Sequence, residues 1–114
     1  MSLDIWLIKE KCEDDEFAFW EGNITHNVNK IAMAVGSYEC LWRPEEIGVV
    51  YAKDNIENLR RAIGMMYLNY SALEKLNPEN GWGSLDGLID FTKSYLEACV
   101  EFPDAIIEVS RYGV

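Results

Sequence analysis

One short stretch concentrates the side chains that could do chemistry. In EGNITHNVNKIA, Glu21 to Ala32, the only histidine of the chain stands among three asparagines, a threonine and a glutamate. An imidazole acts as a general base when a carboxylate orients it and a pocket brings a substrate within reach. Glu21 is the nearest carboxylate that precedes His26. Asn23 and Asn27 supply amide donors and acceptors, and Trp82, from NPENGWGS, would form a wall. Glu21, Asn23, His26, Asn27 and Trp82 are therefore the candidate ligand-binding set. A plainer reading competes with it. Asn and Thr gather at helix starts because their side chains cap backbone N–H groups. Thr25 is the first candidate cap and Asn23 the second. Capping needs one side chain, however, and this stretch supplies several.

Two further features bear on function. Gly81 and Gly83 flank Trp82 just before a helix start, where backbone N–H groups can face an anion. The pattern matches neither GxGxxG nor the phosphate-loop lysine motif. A tight turn with Trp82 folded onto the core is the expected arrangement, because tryptophan is usually well buried. On the following helix, Asp86, Asp90, Glu97 and Glu101 fall on one side, with Lys93 the only base. This row is the candidate partner-binding surface. It resembles a ladder of phosphates, and equally the solvated face of any acidic helix. The chain lacks GxSxG, HExxH and a recognisable Cys–His spacing, so no catalytic residue is assigned. With one histidine and no CxxC, no metal ligand set and no cofactor are expected.

The elements that must position these residues read as follows. LDIWLIK, residues 3 to 9, alternates Leu3, Ile5 and Leu7 on one face, and Trp6 with Ile8 makes the second face partly apolar, which predicts cover on both sides. The acidic run Lys11 to Glu16 turns the chain into a second strand, Phe17 to Gly22, giving a hairpin. A helix follows from Thr25 to a stop at Gly36. SYECLWRPEEIG reads as a connector with one short turn opening at Pro44. A long helix starts near Asp54 as its cap and runs through Leu76. Gly64 lies inside it and predicts close packing against another element. Ser84 caps a third helix, whose inner face carries Leu85, Leu88, Ile89, Thr92, Leu96 and Cys99. AIIEVSRY closes the chain as a strand of unassigned pairing. The order β-β-α-α-α-β, with a short extra turn after the first helix, predicts an α+β fold. In it a small antiparallel sheet packs against about three helices.

Composition sets the outer bounds. The 114 residues suit one domain, 1–114, and 49% hydrophobic residues supply a core. Twenty acids against ten bases give a net charge of −10. That charge opposes direct nucleic-acid binding and favours a basic protein partner; it also promotes solubility. Cys12, Cys40 and Cys99 are odd in number and widely spaced, so free thiols in a reducing compartment are expected. No apolar run approaches the roughly 20 residues of a membrane span. Residues 1 to 10 lack the pattern of a secretory leader. A soluble, cytoplasmic protein without membrane contact is the expectation.

The stretches GNITHNVNKIA, YECLWRPEEIG and NPENGWGSLDGLIDFTKSYLEAC, with the PDAIIEVSR close, together resemble an uncharacterised family of small proteins from bacteriophage and bacterial genomes. The resemblance implies an accessory protein of phage or mobile-element character, without an activity to carry over. The leading expectation is a non-enzymatic binding protein of inhibitor or immunity type, including a nucleic-acid mimic. The alternative is a small-ligand-binding protein or enzyme built around Asn23, His26 and Asn27. A homodimer through exposed aromatics is the third reading.

Overall fold

The computed structural model describes residues 2–9 and 18–112. The predicted acidic tip at Glu13 to Glu16, and Cys12, lie outside them. Strand β1, Ser2–Ile8, alternates as the pattern requires: Leu3, Ile5 and Leu7 are fully buried. Strand β2, Ala18–Thr25, pairs antiparallel with β1 in the register Leu3 to Ile24 and Ile5 to Gly22. Strand β3, Ile106–Tyr112, takes the other side of β1, also antiparallel, with Ile5 opposite Val109. The sheet order is therefore β2-β1-β3, and the predicted α+β class holds.

The helical layer is more fragmented than expected. A 3-10 turn at His26–Val28 leads into α1, Asn29–Ala34, and Thr25 Oγ1 accepts from the Asn27 N–H at 3.3 Å, as a cap should. The presumed connector holds a helix, α2, Tyr38–Trp42, before the predicted turn at Pro44–Ile47. The long helix is two: α3, Ile56–Leu68, and α4, Tyr70–Glu74. The break falls at Asn69, whose backbone leaves the helical region at φ −111°, ψ 21°, while its N–H and its side-chain amide both donate to the Met65 carbonyl, at 3.1 and 2.9 Å. Asp54 does not cap α3. It lies in a 3-10 turn, Ala52–Asn55, where its carboxylate accepts from the Tyr51 N–H. Helix α5, Leu85–Glu101, starts as predicted, with Ser84 Oγ accepting from the Gly87 N–H at 3.0 Å.

Helix α5 packs on β2 and α3 packs on α5, and one continuous core joins both to the sheet. Among the described residues no helix lies on the opposite face, so the expected cover on both sides of β1 is not seen. There Ser2, Asp4 and Trp6 are half-buried. On the packed face Trp20 folds back over Gly22. A Cβ at Gly22 would lie 2.4 Å from the Trp20 ring and 2.9 Å from Phe91. Trp20 then stacks on Tyr95 with centroids 5.2 Å apart and donates its indole N–H to Ser94 Oγ. Asn55 joins the layers from inside: fully buried, it donates to the Cys40 carbonyl and to the Tyr95 hydroxyl.

Gly64 contradicts its expected role. It is exposed, and a Cβ there would meet nothing within 4 Å. Without a packing reason, glycine at a helical position only adds unfolded-state entropy. Gly64→Ala should stabilise the fold by about 0.5–1 kcal/mol. A rise of roughly 2–6 °C in the thermal midpoint checks this.

The two described cysteines are buried. Burial pushes the Cys40 and Cys99 thiols from the usual 9.0 up to about 12, and it pushes the Tyr95 hydroxyl well above its usual value. All three groups are uncharged when protonated. Above pH about 9 the unfolded chain gives up these protons while the folded chain holds them, so stability falls as pH rises from there toward 12. Denaturant midpoints should be flat for these groups up to pH 8 and drop by pH 10. In the folded state at neutral pH, Cys40 and Cys99 should react with a thiol reagent only as fast as the chain opens.

Candidate functional site: an asparagine-rich cleft and an acidic helix face

The EGNITHN stretch is divided by the pairing of β2. The strand runs three residues further than predicted, through Asn23 and Thr25. Alternation sends Glu21 and Asn23 to the open face of the sheet, opposite Trp6 and Asp4 respectively. Asn23 donates to Asp4 Oδ1 at 2.7 Å and to Ser2 Oγ at 3.0 Å. It is therefore a cross-strand link and not a cap. Glu21 and Asn23 border a shallow hollow of about 240 Å³ with Asp4 and Trp6.

His26 and Asn27 face elsewhere. The strand ends at Thr25, and the 3-10 turn carries both onto the wall of a larger cleft, about 610 Å³, closed on its far side by residues 75–80. The predicted five-residue site is thus two places, and Glu21 does not orient His26. Trp42 does. Its ring is fully buried and stacked on Tyr38, and its indole N–H donates to His26 Nδ1 at 2.9 Å. An indole N–H can only donate, so Nδ1 accepts and the neutral imidazole carries its proton on Nε2.

The cleft is built by the same side chains that shape the loop. Asn27 Nδ2 donates to the Trp82 carbonyl at 3.3 Å. Gly83, at φ +90°, presses against the turn so closely that a Cβ would lie 2.6 Å from Thr25 Cγ2. Asn80 Oδ1 accepts from the Trp82 N–H, and Asn77 Oδ1 accepts from the Leu85 N–H. Trp82 itself is not in the core: it is 71% exposed, and its ring does not line the cleft. The backbone of residues 82 and 83, not the indole, makes the contact with the turn. Lys30 and Lys75 join the lining, and neither was singled out by the sequence.

All four predicted acids of α5 are exposed. The row is not uniformly negative. Lys93 lies within it, with its ammonium 5.2 Å from the centre of the Tyr67 ring of α3. Its pKa is raised, chiefly by Tyr67 and secondarily by Asp90 and Glu97. Asp86 accepts a hydrogen bond from the Tyr70 hydroxyl, which raises the tyrosine to about 12. These two contacts fix α3 and α4 along the edge of the acidic face. They bring Tyr67 against the acidic row, and Leu68, the next residue of α3, is 81% exposed.

Among the described residues no group of three or more His, Cys, Asp or Glu is placed to hold a metal ion, and no helix is long and apolar enough to cross a membrane. Comparison of the chain with protein families, with curated proteins and with solved structures gives no match.

Proposed function

We propose that this chain is a non-enzymatic binding protein that docks onto a basic protein through the exposed face of α5 and the adjoining end of α3. The observation that supports it is Tyr67, exposed near the end of α3 and set against Lys93 within the row of Asp86, Asp90, Glu97 and Glu101, with the exposed Leu68 next to it in the chain. An apolar centre with a charged rim is the usual anatomy of a protein interface. A large apolar side chain turned away from the core stands without a folding reason. The rim, in a chain of net charge −10, would speed encounter with a positive partner and make it salt-sensitive.

An inhibitor or immunity role fits this reading. Imitation of a nucleic-acid backbone is less well supported than a protein-shaped contact. Lys93 interrupts the ladder of charge, and Tyr70 occupies Asp86. The test is the effect of Leu68→Asp and of the Asp86, Asp90, Glu97 and Glu101 charge reversals on partner capture.

A further inference from the structure

We propose that the cleft between the His26 turn and the 75–80 loop binds a small anionic molecule through a phosphate or carboxylate group. It is a site separate from the docking face and independent of it.

The first argument is electrostatic. Acids outnumber bases 20 to 10, so a cation on this chain has every opportunity to pair. Among the described residues, Arg43, Lys53, Arg60 and Arg111 each do so. Lys93 rests on Tyr67. Lys9, Lys30, Arg61 and Lys75 form no ion pair among the described residues, and two of these four, Lys30 and Lys75, line this cleft. Glu79 is the only carboxylate on the wall, so the lining is positive in sum within a strongly negative chain.

The second argument is the direction of the hydrogen-bonding groups. Asn77 and Asn80 both spend their amide oxygens on backbone N–H groups of the following segment. Each therefore has its NH2 group wholly uncommitted among the described residues and its oxygen partly occupied. These donors with two ammonium groups suit an anion, with Glu79 the one opposing charge on the wall.

The third argument is that the cleft is preformed. Its loop is tied down by the Asn27 to Trp82 bond and by Gly83 against Thr25, and its volume of about 610 Å³ is in the range of small-molecule sites. The surrounding negative charge would repel a polyanion such as nucleic acid, which leaves a compact ligand with one or two charges.

The experiment is a titration of the 15N-labelled full chain, followed by backbone amide shifts, with inorganic phosphate, glucose 6-phosphate and citrate in separate arms. Saturable shifts confined to residues 26–30 and 75–80 are expected in at least one arm. The arm that binds tightest tells a phosphate ligand from a carboxylate one. Lys30→Gln and Lys75→Gln should each weaken binding about tenfold, the size of one charge-assisted contact. Both lysines are exposed, so spectra of the variants should otherwise match the parent. Leu68→Asp should bind the anion unchanged, which keeps this result distinct from that of the docking face. No saturable shift in any arm at about 10 mM, or affinity untouched in the double lysine variant, would overturn the proposal.

Discussion

Trp42→Ala should cost about 3–5 kcal/mol of folding stability, the largest loss expected from any single side chain on the His26 side of the molecule. The ring is completely buried. Its removal would leave a large cavity, strip Tyr38 of its stacking partner and release His26 Nδ1 from its donor. The total stability of a domain this size is of order 5–15 kcal/mol, so the variant should sit close to the edge of folding. Trp42→Phe separates the terms. It keeps most of the ring volume and the stack on Tyr38 and loses the indole N–H. A cost of about 1–2 kcal/mol is expected, part hydrogen bond and part lost volume. Denaturant midpoints with an unchanged slope would measure both. Equal costs for the two variants would mean that packing at Trp42 contributes little beyond the bond to His26.

The second large effect concerns binding. A residue like Leu68 contributes almost nothing to the folded monomer, since it points away from the core at 81% exposure. Leu68→Asp should leave the thermal midpoint within about 1–2 °C of the parent, as surface changes usually do. If Leu68 is the apolar centre of an interface, the same change should weaken partner binding by at least about 2 kcal/mol, roughly thirtyfold. Reversing Asp86, Asp90, Glu97 and Glu101 to lysine should act differently. It should slow association more than it speeds dissociation and abolish the salt dependence of the on-rate, because rim charges steer encounter. The contrast between an effect on dissociation at Leu68 and an effect on association at the carboxylates is the signature of an apolar centre with a charged rim.

Much of the fold is legible in particular residues. Alternation of Leu3, Ile5 and Leu7, the Ser84 cap and the inner stripe of α5 all carry through, because each is a local pattern that packing reinforces. Three features were not legible. The sequence places no proline or glycine at Asn69, so the break between α3 and α4 shows only in the backbone angles of Asn69. Helix α2 is five residues long, too short for a periodic signal, and it exists because Cys40, Leu41 and Trp42 are buried. The extension of β2 through Asn23 and Thr25 depends on pairing with Ser2 to Asp4, a tertiary fact. That extension is also why the five candidate residues do not share one place. The polar cluster looked contiguous, yet the strand period sends Glu21 and Asn23 to the sheet face while the turn takes His26 and Asn27 to the cleft. Lys30, Lys75, Asn77 and Asn80 complete the cleft from distant segments. Trp42, which orients His26, sits in a stretch read as a connector. The polarity of the 77–80 segment read as a turn, and only folding shows which way its amides point.

The most direct test of the docking surface uses one tagged chain, one tagged Leu68→Asp variant and one tagged quadruple charge reversal, each presented to an extract of a bacterial host at low and high salt. The account predicts a captured protein with a basic surface. It should be retained by the parent chain at low salt, released at high salt, and lost by both variants while their thermal midpoints stay near that of the parent. Capture that survives Leu68→Asp, the charge reversal and high salt alike would contradict it, as would a parent chain that captures nothing the quadruple variant does not.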